Sequence, residues 1–424
     1  MTLSHYSWED ESLPAIQQHS IAKHEVLREY LVEYLKTLAP NPARDSLSLT
    51  LVDGFAGGGL YRHEDTREIV LGSPFVFLEA VQEARLLVDL GRRKPLQWNL
   101  DYYFVEKGRR AQQHLRSALE ERGYGARLGQ DIHLLGGAFE THADELVLRV
   151  LDNSPRSGRS IFLLDQYGYS DVPASRIRNI FERLESAEVI LTFAVDAFIN
   201  YASDSPKTRK LLEKMDLPDL LKGRTIESIK SEERDFRLFI QSAFYEALVE
   251  RCGAKFFTVF FIRTTGHGDY WLVHLSQHPR ARDVMTTVHW NKNNHFIHYG
   301  GAGLNMFKTL GYDPAEDSRV TGQNELGFCF DSDAAEASVR ALSHQLSPII
   351  HAKPEGVTFD ELFTSTCNLT PANGMRYREA LARLIELKEV TATSPKGASR
   401  KSPNTIGNQD RIAMARQINF SFGQ

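Results

Sequence analysis

Between Ile21 and Leu38 the apolar and aromatic positions Val26, Leu27, Tyr30, Leu31, Tyr34, Leu35 and Leu38 recur at helical spacing, which predicts an amphipathic helix. Asn41-Pro42 ends it and the period changes. Leu47 to Phe55 reads as a short buried strand that runs straight into Ala-Gly-Gly-Gly. Ser73-Pro74 predicts a helix start, because Ser is a good cap and Pro suits the first turn; Phe77, Val81 and Leu86 carry the helix on. Further strands are expected at Asp101–Glu106, Ile132–Leu135, Ile161–Asp165 and Val189–Phe193, with helices at Gln112–Glu121 and about Ser175–Leu184. Strands that alternate with helices at this spacing predict a mostly parallel sheet with crossover helices. A polar helical excursion at Lys207–Leu221 and a long helix near Phe236–Cys252 follow. Phe256–Arg263 and Tyr270–Ser276, separated by Thr-Gly-His-Gly, read as an antiparallel pair.

The pattern divides the chain into a helical segment at 1–45, an α/β domain at 46–276 with a helical insertion near 205–235, a polar loop-rich connection at 277–337 and a separate module at 338–424. In the connection, Asn291, Lys292, Asn293 and Asn294 cluster, and Gly300, Gly301 and Gly303 argue for loops. Trp290 with that cluster is a candidate substrate groove or a partner surface. The last module reads as helix (Val339–Ile350), helix capped at Thr358, and a stronger helix at Met375–Leu387. A strand at Val390–Thr393, a basic loop at Ser394–Gly407 and a closing strand at Ile418–Phe422 complete it. That order is a winged helix-turn-helix.

Composition adds limits. A chain of 424 residues with 42% hydrophobic and 25% charged positions is ordinary for globular domains and long for one core. A formal charge of -5 gives no global pull toward nucleic acid, so such a partner needs a local basic patch. One is present: Lys388, Lys396, Arg400, Lys401, Arg411 and Arg416 face only Glu389 and Asp410. Lys396, Arg400 and Lys401 on the wing could meet backbone phosphates, and Arg376, Arg378 and Arg383 on the preceding helix could approach a groove. A solvated face used for protein contacts is the other reading. Cys252, Cys329 and Cys367 are odd in number and far apart, which suits reduced thiols in a cytoplasmic protein. His267, His289, His295 and His298 form no recognised metal pattern, and no metal is expected. The polar N-terminus is unlike a signal peptide, and no apolar run approaches a membrane span.

The chemistry concentrates at Asp53-Gly54-Phe55-Ala56-Gly57-Gly58-Gly59. Glycines after a strand allow a tight turn and close approach of a ligand to the backbone. Asp53 decides between ligands: a carboxylate at the strand end is badly placed beside a diphosphate but can accept from an amino-acid ammonium. The phosphate-loop pattern is excluded because no Gly-Lys-Ser/Thr follows. Glu106 ends the second strand, where an open α/β sheet presents an acid to ribose hydroxyls. Phe139, after Gly136-Gly137-Ala138, is a candidate wall for an adenine or a core residue. Asp53, Phe55, Ala56, Gly57, Gly59, Glu106, Phe139 and Asp165 are thus the candidate binding set for S-adenosylmethionine. At the end of the fourth strand, Asp165 could accept from an exocyclic amine and Tyr167 could stack on a planar ring, which makes them the candidate catalytic pair.

These motifs, with the early helix carrying His19, Lys23 and Tyr30, with Gly72-Ser73-Pro74, Glu106-Lys107 and Asp165–Gly168, resemble a class I S-adenosylmethionine-dependent methyltransferase. More closely they resemble the three-Cys-motif partner protein family, over about residues 15–300. The resemblance implies an α/β fold with a Rossmann-like seven-stranded methyltransferase sheet, here followed by the winged helix. It places Asp53 and the glycines around the methionine moiety and Glu106 on the ribose. It also implies an operon-encoded partner carrying a three-cysteine motif. This chain has Gln166 where that family has Pro in Asp-Pro-Tyr-Gly, and loss of the ring's fixed φ removes a restraint on the loop. The expected function is methyl transfer to a base amine of DNA or RNA. A non-catalytic nucleic-acid- or partner-binding component of a defence system stands as the alternative, and a protein or small-molecule methyltransferase as a third reading.

Overall fold

The strand that opens the α/β domain is buried on both faces: Leu47, Leu49, Leu51 and Val52 are fully inaccessible, the near-continuous apolar run of a central parallel strand. In the computed structural model it is β2 (Ser46–Asp53) and lies between two parallel neighbours. The structure describes residues 8, 13–41, 44–166, 171–193, 203–221, 223–232, 243, 246–264, 267–292, 296–298, 301–304, 306, 328–329 and 332–415. Its contacts divide the chain into two units, Met1–Phe296 and Ile297–Gln424.

In the first unit β1 (Ala15–Ile16) is followed by α1 (Gln18–Leu38), then by β2 and the small antiparallel pair β3 (Leu60–His63) and β4 (Ile69–Leu71). Then come α2 (Ser73–Leu90), β5 (Gln97–Glu106), α3 (Arg109–Glu121), β6 (Ile132–Gly136), α4 (Phe139–Asn153), β7 (Ser160–Leu164), α5 (Ala174–Arg183) and β8 (Ala187–Phe193). Short helices α6 (Pro206–Lys214) and α7 (Ile226–Glu232) precede β9 (Phe256–Thr264), β10 (His267–Ser276) and α8 (Pro279–Asn291). Within the first unit the strand order of the main sheet is β9-β10-β8-β7-β2-β5-β6. Strands β2, β5, β6, β7 and β8 are parallel, and β10 runs antiparallel between β8 and β9. This is the seven-stranded methyltransferase-like order with a reversed seventh strand. Its direction of winding switches between β2 and β7, where an open α/β sheet leaves a crevice at the carboxyl ends of its strands. Helix α1 buries Val26, Leu27, Tyr30, Leu31 and Leu35, and packs against α2 and α8. Each such apolar side chain contributes about 1.5–3 kcal/mol on burial.

Several expectations shift. The cap of α2 is Gly72, and Ser73 and Pro74 sit in its first turn. Helix α4, for which no expectation was set, starts at Phe139 behind its cap Ala138. The stretch read as loop-rich opens instead with α8, capped by the His278 side chain, which accepts from the Arg280 amide. Its inward face mixes Ala281, Met285 and Val288 with buried Arg282, Thr286 and His289, so its apolar period is broken in sequence. Trp290 is 5% exposed and belongs to the core, so it lines no groove. Within the expected helix at Phe236–Cys252, 246–252 is helical and 233–242 lies outside the described residues.

At the boundary, β11 (Phe296–His298) begins on the last residue of the first unit, and it pairs with β12 (Phe328–Cys329) through Ile297–Cys329 and His298–Phe328. The winged helix follows as α9 (Ser332–His351), β13 (Val357–Thr358), α10 (Phe359–Thr366), α11 (Gly374–Glu386), β14 (Val390–Thr393), β15 (Ser399–Arg400) and β16 (Arg411–Met414). Its first helix begins six residues ahead of the expected boundary at 338. Thr358 caps α10 as expected, and it does so in a full capping box with Glu361. The strand closing the wing is β16, not Ile418–Phe422, which lies outside the described residues.

Candidate cofactor and acceptor site

Asp53, Glu106 and Asp165 end or follow β2, β5 and β7, side by side at the switch point. Beyond β2 the chain stays pinned to both neighbours: the Gly54 amide donates to the Leu163 carbonyl (2.9 Å) and the Ala56 amide to the Val105 carbonyl (3.0 Å). Between these bonds the Phe55 amide donates to Asp53 Oδ1 (3.0 Å), and next along the Gly57 amide donates to Glu106 Oε2 (2.8 Å). Gly57 and Gly59 have φ of +61° and +79°, left-handed values that disfavour any other residue. A Cβ on Gly59 would also stand 2.7 Å from Leu115 and 2.9 Å from Phe75. With the amides of Phe55, Ala56 and Gly57 already engaged, this turn lacks the open donors that a diphosphate needs.

Asp53 is fully buried, and its Oδ2 has no hydrogen-bond partner among the described residues. Burial pushes its carboxyl up to about 7, against the nearby Ser73 hydroxyl and the Phe55 amide; the carboxylates of Asp165 and Glu106 push the same way as burial. An acid held this way is short of a cation. Glu106 bridges two amides, from Gly57 and from Gly108 (2.6 Å to Oε1), and keeps acceptor positions on a part-exposed carboxylate. Phe139, a candidate adenine wall, lies inside the core at 2% exposure, edge-on to Phe162 and against Gly54. It supports the turn from beneath and offers no face to a ligand.

Trp8 roofs the turn. Its indole Nε1 donates to the Leu60 carbonyl (3.3 Å), its ring meets Tyr61 edge-on at 5.5 Å, and it seats directly on Gly57 and Gly58. His114 Nδ1 lies 2.7 Å from the Gly58 carbonyl, so that nitrogen carries the proton. Nothing in the acidic N-terminal sequence marks Trp8 for this position.

At the acceptor end, both oxygens of Asp165 receive the Lys23 ammonium, at 2.6 and 2.7 Å, and the Thr192 hydroxyl donates to Oδ1. Burial alone would raise the Asp165 carboxyl, but Lys23's charge, its hydrogen bonds and the Thr192 hydroxyl hold it below the ordinary range. Neighbouring His24 is pushed down to about 4, chiefly by burial, with Asp165 opposing and Lys23 adding to the shift. These residues line a cavity of about 10 Å³, room for about one water. The same helix reaches the sheet again at Tyr30, whose hydroxyl donates to Glu188 beside His274 (2.9 Å from Glu188). Lys23 is named in sequence only as part of the early helix and has no place there in the candidate site.

Gln166 does not simply loosen its loop. Its buried side-chain Oε1 accepts from the amides of Asp171 (2.9 Å) and Val172 (3.1 Å), so a side-chain strap ties the loop ends where proline would stiffen the backbone. Tyr167, Gly168 and Tyr169 between them lie outside the described residues. Gln166→Ala is expected to cost about 1–3 kcal/mol by stranding those amides. Faster hydrogen exchange at Asp171 and Val172 would register it; unchanged exchange would refute the strap.

The basic residues of the winged helix divide by what they touch. Arg378 donates to the carbonyls of Ile406 (2.9 Å) and Gly374 (3.0 Å) and to Asn408 Oδ1 (2.7 Å), with its guanidinium 4.0 Å over the Phe359 ring. It ties the wing base to α11 and is not presented to a groove. Arg400 pairs with buried Asp410 (3.0 Å), Arg376 with Glu379 (2.7 Å) and Arg383 with Glu336 (2.9 Å). Lys396 and Lys401 are exposed and bond to no described residue. Among the described residues no group of three or more His, Cys, Asp or Glu could hold a metal, and no helix is long and apolar enough to cross a membrane.

A family model for the GMT-like wHTH domain matches residues 311–397. No curated protein matches the chain. Among solved structures, a Legionella pneumophila protein is similar at 12% identity, covering 62% of this chain and 89% of its own with a TM-score of 0.34. The precorrin-6y C5,15-methyltransferase of Geobacter metallireducens has 13% identity, covers 64% and 96%, and has a TM-score of 0.29. M. jannaschii TYW2 in complex with AdoMet has 12% identity, covers 62% and 76%, and has a TM-score of 0.28. Overlaps this loose carry no argument, so the first unit's fold rests on its own strand order. The chain joins a methyltransferase-like α/β unit to a winged-helix domain.

Proposed function

We propose that the protein is an S-adenosylmethionine-dependent methyltransferase acting on a base amine of DNA or RNA. One observation carries the reading: Asp53 is buried at the switch point with an unpartnered oxygen, beside a glycine turn whose amides are engaged. That donor set fits a ligand bringing an ammonium and ribose hydroxyls, and disfavours a dinucleotide. When bound, S-adenosylmethionine would supply an electrophilic methyl group. Asp53 would hold the amino-acid ammonium, and Glu106 would accept from the ribose with its free lone pairs. Gly58, whose missing side chain faces Trp8, would let a ligand approach the backbone once Trp8 moves aside. Asp165, kept ionised, would accept one N–H of the target amine and orient it, since aligning the reacting atoms is the main service such a site can give. Lys396 and Lys401, exposed on the wing, would touch phosphates.

The second reading is a non-catalytic nucleic-acid- or partner-binding component of a defence system, and the pairing of Lys23 with both oxygens of Asp165 favours it. The resemblance to three-Cys-motif partner proteins adds an expected operon-encoded partner, and the three scattered cysteines suit a cytoplasmic setting. Incubation with tritiated S-adenosylmethionine and separate DNA, RNA and protein fractions tests the first reading, with Asp165→Ala as control. Label in nucleic acid that the control loses supports it; calorimetry finding no cofactor binding by folded protein would sink it.

A further inference from the structure

We infer that Lys23 selects the acceptor: its ammonium fills the Asp165 carboxylate, so the site admits a neutral N–H donor and rejects a cationic amine. The inference rests on the methyltransferase reading of the same site, but its test does not require methyl transfer.

A carboxylate offers about four acceptor positions. Lys23 occupies both oxygens at 2.6 and 2.7 Å and Thr192 takes a further position on Oδ1, which leaves about one. The pair is also asymmetric toward solvent, with Lys23 9% exposed and Asp165 24%. A newcomer therefore meets the carboxylate first and finds the lysine charge directly behind it. The exocyclic amine of a base, or an amide, can donate one N–H there without adding charge. An alkylammonium would bring a second positive charge to a half-buried carboxylate already neutralised, and like charges close together at low dielectric repel strongly. Buried His24 stays neutral near pH 7 and adds no charge. The Asp53 carboxyl, close enough to feel Asp165, is taken by the cofactor ammonium in the methyltransferase reading. Lysine side chains and small alkylamines are thus poor acceptors, and exocyclic base amines suitable ones. Lys23 acts through Asp165 and is a positioning residue.

The test uses two probes, 1-methylcytosine and n-butylammonium, with saturation-transfer NMR as the readout. The full chain at pH 7 carries Asp53→Asn throughout, so that the other buried acid takes no ammonium, and wild type here means Lys23 unchanged in that background. The wild type is expected to bind the base and not the ammonium. Lys23→Met is expected to gain butylammonium binding by at least about tenfold, and Lys23→Arg to behave like the wild type. Should Lys23→Met fail to fold because it strands Asp165, wild type and Lys23→Arg decide alone. Butylammonium binding to either of them, equal binding to wild type and Lys23→Met, or no binding of the base to the wild type overturns the inference. Probe selectivity without methyl transfer to any fraction would count against the methyltransferase reading and leave the selectivity standing. Methylated nucleic acid without probe selectivity would do the reverse.

Discussion

Asp53→Asn is expected to weaken S-adenosylmethionine binding about a hundredfold at pH 8 while raising the melting temperature of the ligand-free protein. Both effects come from one buried carboxylate with nothing to neutralise it. Removing one member of a buried charge pair costs about 2–5 kcal/mol in binding, and about 2.7 kcal/mol is a hundredfold. In the ligand-free protein the sign reverses. Burial raises the Asp53 carboxyl from 3.8 to about 7, so the folded state binds that proton more tightly than the unfolded chain. The stability it contributes is complete below about pH 4 and is lost as pH rises through 7. At pH 8 the ionised acid opposes folding, and the neutral amide relieves it. Calorimetry and thermal melts at pH 8 measure both. In the wild type, protonation of the same acid should make the cofactor about tenfold weaker at pH 6 than at pH 8. A flat pH profile would remove Asp53 as the ammonium's partner.

The winged helix gives the second large effect, by separating two kinds of basic residue. Arg378→Ala removes three hydrogen bonds and a stacked contact with Phe359, and takes the side-chain donor away from the Ile406 carbonyl. A loss of about 2–4 kcal/mol is expected, read in a denaturant melt of the second unit's transition. Lys396→Glu with Lys401→Glu should change stability by less than about 0.5 kcal/mol, because neither side chain holds anything. If this wing binds nucleic acid, that double variant loses about tenfold or more in affinity, and the slope of log affinity against log salt falls by about 2. Unchanged affinity would move the domain's role to protein contacts.

The frame of the first unit is legible because its signals are local. An apolar strand followed by Asp53 and glycines, with strands and helices alternating after it, needs no knowledge of distant partners. Thr358 and Glu361 likewise announce their helix within four residues. The acceptor end is different. Lys23 and Asp165 are 142 positions apart, and only the packing of α1 over the sheet brings them together. Helix α8 hides because three buried polar residues interrupt its apolar stripe. Phe139 looks like a ligand wall because it follows glycines, yet α4 begins at that residue and turns the ring inward. A charge count cannot separate Arg378, which donates to backbone carbonyls, from Lys401, which faces water.

The chain has four tryptophans, and their surroundings differ in a way that optics can use. Trp271 and Trp290 are core residues at 1% and 5% exposure, and Trp98 lies on β5 away from the glycine turn. Trp8 alone rests on Gly57 and Gly58, with Tyr61 and His114 beside it. Anything that enters the turn must lift or shield that indole, so the protein carries a native fluorophore at the mouth of its candidate site. Ligand arrival should register as a change in emission that Trp8→Phe abolishes, which makes loading measurable in real time without label or turnover.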